Sequence, residues 1–194
     1  KGIVHSERSP EELRQTTRKI SGLQTWLALP DGKEEIAPNF ENTAAASMGI
    51  IEDANAHAKV LIGDFHGTTS PVTQFSDTLY VDVQLPINGE IEIPSDAEER
   101  AIYITDGEVN IAGDKFVEDQ LLVFRPGDQI VVRSERGAGF MLFGGASIGT
   151  KRHIWWNFVS SSRERIEQAK EEWRTGKFDI VPGDTKEFIP LPAR

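Results

Sequence analysis

The sequence predicts a mainly β protein, a β-sandwich or small barrel, with one long helix near its C-terminal end. Short runs of alternating apolar and polar residues recur along the chain, punctuated at close intervals by Gly, Pro, Asn and Asp. The alternation is cleanest where Leu79, Val81, Val83 and Leu85 are set against Tyr80, Asp82 and Gln84. Only after Trp156 does the apolar period become that of a helix.

Taken in order, Gly2 to Glu7 reads as a short strand. Ser9 as N-cap, Pro10 at the first helical position and Glu12 as capping-box partner predict a helical turn next. Leu23, Thr25, Leu27 and Leu29 alternate with Gln24, Trp26 and Ala28, the period of a strand, which Pro30-Asp31-Gly32 ends with turn chemistry. A linking stretch of little periodicity follows to about Ala46. Strand-like runs are then expected at 48–51, 59–65, 79–85, 89–93, 101–105, 121–124, 129–133 and 140–143. Ser161 with Glu164 makes a second capping box, and Ile166, Ala169, Lys170 and Trp173 fall at helical spacing. With Gly176 as C-cap this predicts a helix over 162–175, its Trp173 face against a barrel wall. Phe188-Ile189-Pro190-Leu191-Pro192 is too Pro-rich for a central strand and reads as an extended surface strap.

Composition narrows the function classes. The 194 residues suffice to bury a core, and 38% hydrophobic with 27% charged residues is ordinary for a globular chain. No apolar run approaches the ~20 residues that span a bilayer. A formal net charge of −10 argues against direct nucleic-acid binding, and the mixed cluster Lys151, Arg152, Arg163 and Arg165 does not reverse it. The absence of Cys excludes disulfides and thiolate metal sites and suits a cytoplasmic location. The chain begins on Lys1, so its start is expected to be an internal point of a longer chain.

Metal chemistry would therefore rest on carboxylates and the four His: His5, His57, His66 and His153. On a strand His5 and Glu7 point the same way, about 7 Å apart along the backbone. An imidazole and a carboxylate so placed can converge on one ion, and a mixed set with open positions suits Fe(II) or another borderline divalent metal. A solvated strand end is the alternative. His57 and His66 read as surface and turn residues, and His153 as a structural histidine beside Trp155 and Trp156. Gly145-Ala146-Ser147-Ile148-Gly149 matches a nucleophile-elbow pattern without the strand–turn–helix context it needs.

Several segments resemble the pirin family. Lys1-Gly2-Ile3-Val4-His5-Ser6-Glu7 is similar to the pirin segment that follows the Pro-Gly turn of the first cupin, and the stretch from Gly22 to Pro30 resembles the next strand. Gly63 and Ser70-Pro71-Val72 resemble the start of the second cupin. Arg152-His153-Ile154-Trp155-Trp156-Asn157-Phe158-Val159-Ser160-Ser161 and the closing Phe188 to Pro192 resemble the C-terminal signature. The resemblance implies a bicupin, two β-barrel or jelly-roll domains with one C-terminal α-helix, the first barrel incomplete. It divides the chain into the remainder of the first cupin plus linker (1–45), a metal-free second cupin (46–150), and the signature, helix and strap (151–194). In place of a cupin's first motif the second barrel has Glu99 to Val109, and in place of its second motif Phe124-Arg125-Pro126-Gly127-Asp128; neither carries a His.

The resemblance also implies function. Pirins bind iron in the first barrel, and His5 and Glu7 correspond to two of four metal ligands; the other two belong to a His-x-His motif that this sequence lacks. Some pirins are quercetin 2,3-dioxygenases. In that role His5 would be a neutral imidazole ligand and Glu7 an anionic ligand that also accepts the flavonol proton. Other pirins are iron-dependent partners of transcription factors, and an acidic chain fits a basic protein surface. The implied ligands are Fe(II) or another divalent metal in an intact parent, with none for this chain alone as the alternative. The implied partners are a flavonol-like molecule, a protein, or a second copy joined through the incomplete barrel.

Overall fold

The alternation about Val81 becomes an antiparallel ladder. The computed structural model describes residues 1–9 and 11–193, and the chain divides into two compact units, Glu41–Ser147 and Lys1–Phe40 with Ile148–Arg194.

In the first of these, β1 (Gly49–Glu52), β2 (His57–Ile62), the hairpin of β3 (Asp64–Phe65) and β4 (Thr68–Thr69), and β5 (Thr78–Leu85) lead into β6 (Gly89–Ile93) and β7 (Glu99–Ile111). β8 (Asp114–Val117), β9 (Leu121–Phe124), β10 (Ile130–Ser134) and β11 (Ala138–Gly145) complete it. Nine strands make one curled antiparallel sheet in the order β1-β2-β5-β11-β7-β10-β6, with β8 and β9 both paired to β7. Register follows the apolar pattern: Val81 faces Leu142 and Val83 faces Phe140 across β5 and β11, and Ile102 and Ile104 continue the row on β7. These side chains, with Ala58, Val60, Ile93, Val109 and Val132, are buried in one apolar core. The interior of this half-barrel is thus filled by apolar side chains.

Three glycines fix the bends. Gly63 (φ +89) breaks the expected 59–65 run into β2 and β3, and a Cβ there would lie 2.1 Å from the Thr78 carbonyl oxygen. Gly107 (φ +76) lets β7 pass from β9 and β11 to β8 and β10. Gly176 (φ +68) follows the helix as the left-handed residue that terminates it.

The other unit contains β12 (His153–Trp155), β13 (Phe158–Ser160) and α1 (Arg163–Arg174), with a short 3₁₀ turn at Glu11–Leu13. Ser162 caps α1 by accepting from Arg165 N at 3.1 Å, and Glu164 accepts from the same Ser162 hydroxyl. The expected capping residue, Ser161, instead donates from N and Oγ to Glu34 at 2.8 and 2.5 Å. Within this unit the ring partners of Trp173 are aromatic. Trp173 packs on Trp156, Phe158, Phe178 and Phe188, with ring centroids 5.4–6.4 Å apart, and its indole N–H donates to Ile189 O at 2.9 Å. Trp156 holds φ +48 in the two-residue β12–β13 turn, a strained conformation for a bulky residue that this ring packing stabilises.

Two expected strands are corrected. Neither Gly2 to Glu7 nor Leu23 to Leu29 forms a strand, because neither has a pairing partner among the described residues. Leu23, Trp26 and Leu27 are about half exposed instead. The expected turn near Ser9 is the 3₁₀ turn, and Pro10 lies outside the described residues. No helix among the described residues is long and apolar enough to cross a membrane.

Candidate functional site

His5 and Glu7 converge although their segment is not a strand: His5 Nε2 lies 3.8 Å from Glu7 Oε1. Both side chains are exposed. Gln24 Nε2 donates to the same Glu7 oxygen at 2.9 Å, which brings the Gly22–Pro30 stretch against the pair. Their neighbours Ser6 and Arg8 have other partners. Arg8 Nε donates to Asp184 Oδ2 and Arg8 Nη1 to Glu187 Oε2, while Ser6 also hydrogen-bonds Asp184. The Arg8 guanidinium, followed by Ser6, holds the Asp184 carboxyl below its usual range, and Arg8 is raised in turn. Nothing in local spacing announces Asp184 or Glu187, which lie at the far end of the sequence.

The iron that the pirin resemblance implies would need a full set of donors. One imidazole and one carboxylate suit a borderline divalent ion. Two exposed donors nevertheless fall short of the three or more protein ligands such centres use, and no group of three His, Asp or Glu comes together among the described residues. His5 and Glu7 therefore do not by themselves fit a complete metal centre.

The remaining histidines are placed apart. His57 opens β2 and pairs across the ladder with Glu52 and Gln84. His66 takes φ +48 in the β3–β4 turn, with Nε2 at 2.9 Å from Glu92 O and its ring edge-on to Phe65. His153 Nδ1 lies 3.5 Å from Arg163 Nε. The Lys151, Arg152, Arg163 and Arg165 cluster is largely neutralised. Arg152 Nη2 donates to Leu29 O and Asp31, its Nε lies 3.4 Å from Glu34 without hydrogen-bond geometry, and Arg165 bonds Glu35 and Glu172. Ser147 precedes no helix, so the nucleophile-elbow context is absent there.

In the curled sheet, Arg100 near the start of β7 is 2% exposed. Its guanidinium donates to the carbonyls of Ile93, Pro94 and Arg125 at 3.0–3.3 Å. Sequence reading missed it, because a charged residue between Glu99 and Ala101 looks solvated.

Comparison with known proteins places this geometry in a family. Residues 80–179 match the pirin C-terminal cupin domain. A pirin-like protein of Caulobacter vibrioides is 40% identical over 192 residues, covering 98% of this chain and 66% of the relative. A Pseudomonas aeruginosa protein named "Putative quercetin 2,3-dioxygenase" is 27% identical, covering 98% of this chain and 61% of the relative. The crystal structure of a quercetin 2,3-dioxygenase from Acinetobacter baumannii superposes with a TM-score of 0.78 at 26% identity, covering 87% of this chain and 57% of that one. The chain thus spans somewhat less than two thirds of the length of these relatives. A matched domain that takes in most of the curled sheet and the aromatic signature, together with similarity along nearly the whole sequence, establishes that this chain belongs to the pirin family.

Proposed function

We propose that this chain is the larger part of a pirin-type bicupin, organised as 1–45, 46–150 and 151–194. In a protein that also carries the rest of the first barrel, His5 and Glu7 supply two ligands to Fe(II) or another divalent metal. That protein acts as a quercetin 2,3-dioxygenase, while the present chain alone is inactive. The observation that carries the reading is the convergence of His5 Nε2 and Glu7 Oε1 at 3.8 Å, in a chain related to proteins bearing that enzyme name. Glu7, the carboxylate of the pair, also accepts the flavonol proton. The test is loss of quercetin absorbance with the longer, iron-loaded protein. Turnover that disappears in His5→Ala and Glu7→Ala supports the reading, and turnover equal to theirs rejects it.

A non-enzymatic reading is favoured by one observation, the net charge of −10, which suits a basic protein surface. It makes the protein a metal-dependent interaction partner in a cytoplasmic complex, with no direct contact to nucleic acid. Iron-dependent capture of a defined partner supports it; the same capture with and without metal counts against it.

A further inference from the structure

We propose that Arg8, gripped by Asp184 and Glu187, is the positioning residue of the His5–Glu7 pair. The segment from Ile3 to Arg8 belongs to no sheet, so no ladder of backbone hydrogen bonds fixes which way its side chains point. Side-chain contacts with Asp184 and Glu187 tether it instead. Ser6 and Arg8 both bond Asp184, and Arg8 extends a second arm to Glu187. Ser6 and Arg8 flank Glu7 in the sequence, so tethering both limits how far the backbone that carries His5 and Glu7 can turn. Gln24 also donates to Glu7 Oε1.

The grip is built to hold. A guanidinium presents donors in a fixed fork, so two carboxylates at Nε and Nη1 define the plane of the Arg8 head as well as its position. The Asp184 side chain is only 18% exposed. The segment bearing both carboxylates is itself anchored: Val181 bridges Asp184, Phe178 stacks on Phe158, and Phe188 stacks on Trp173. A Cβ on Gly2 would meet the Phe178 ring at 3.1 Å, so the chain passes close to the same anchor one turn of sequence earlier. The aromatic signature, far from the pair in sequence, thereby reaches the pair through Arg8.

The bearing of this arrangement on catalysis rests on the function proposed above, but the positioning itself does not. It is tested on the present chain by NMR. In the unaltered chain, backbone order parameters for Val4 to Arg8 are expected near the rigid value of about 0.85, with a nuclear Overhauser contact between the His5 ring and the Glu7 side chain. In the double variant Asp184→Asn with Glu187→Gln, the order parameters should fall below about 0.6 and the His5–Glu7 contact should disappear. Ring resonances of Trp156 and Trp173 should stay in place, which separates loss of the grip from unfolding. Charge exchange, Arg8→Asp combined with Asp184→Arg, should restore the contact, whereas Arg8→Asp alone should not. Unchanged order parameters in the double variant, a mobile segment in the unaltered chain, or no rescue on charge exchange would overturn the proposal. Failure of quercetin turnover in the longer protein would reject the proposed function and leave these outcomes as they are.

Discussion

Arg100 Nη2 donates to the backbone carbonyl of Arg125 at 3.0 Å, so a buried cation on β7 is held by main-chain oxygens. With Nη1 on Ile93 O and Pro94 O, one guanidinium ties the end of β6 and the turn after β9 to the start of β7.

Arg100→Met keeps the length and apolar stem but leaves three carbonyls without this donor. Each unpaired buried polar group costs roughly 1–3 kcal/mol, partly recovered where water enters, so a loss of about 3 kcal/mol is expected. Urea unfolding should show a lower midpoint with an unchanged slope.

Gly63→Ala should be among the most damaging single substitutions in the curled sheet. The added Cβ would lie 2.1 Å from Thr78 O, and φ +89 is unfavourable for any L side chain. Because β5 carries that carbonyl at the centre of the sheet, it cannot move aside without disrupting the β2 and β11 ladders. A loss of about 3–5 kcal/mol is expected, read as a lowered melting temperature or as insoluble expression.

Acid should loosen the unit that carries the signature. The Thr150 hydroxyl and then Arg152 hold Asp31 below its usual range; burial pushes Glu35 up, but Arg165 outweighs it and the carboxyl ends lower. A carboxyl depressed by folding contributes stability fully above its unfolded pKa, near pH 4, and loses it as pH falls through the lower folded value. Melting temperature should therefore be nearly flat from pH 7 to about 5 and drop below about pH 4. Arg152→Ala should lower the neutral value and flatten the acid limb; an unchanged acid limb would contradict the assignment.

Self-association is expected of this chain in solution. Ile20 is 81% exposed, and Leu23, Trp26 and Leu27 are 47%, 54% and 51% exposed within one short stretch. Large apolar side chains left in water seek cover. Light scattering should report species above the monomer mass, and Trp26→Ser with Leu27→Ser should shift the distribution to monomer. A monomer at all concentrations would reject the expectation.

The strand β5 was legible because half-buried strands carry a period of two, and Val81 and Val83 show it without interruption. Leu23 to Leu29 carries the same period and forms no strand, since alternation permits pairing but a ladder needs a neighbour. The full length of β7 was not legible either. Asp106-Gly107 reads as a turn locally, and only pairing to four neighbours keeps the chain extended through it. At the site, His5 and Glu7 were visible because the contact is two residues long. Arg8 and Asp184 are 176 residues apart, and no local pattern encodes a contact at that distance.

The β7 strand has a consequence for how the sheet comes apart. It pairs with β8, β9, β10 and β11, so no neighbour on either side can be peeled away while β7 keeps all its hydrogen bonds. Its central amides should exchange with solvent only when the whole sheet opens, at a free energy equal to that of global unfolding. Those partners all follow it in the sequence, from β8 to β11, so the ladder also demands several loop closures before it is complete. Refolding of this unit should accordingly be slow, on the order of milliseconds to seconds, and all-or-none.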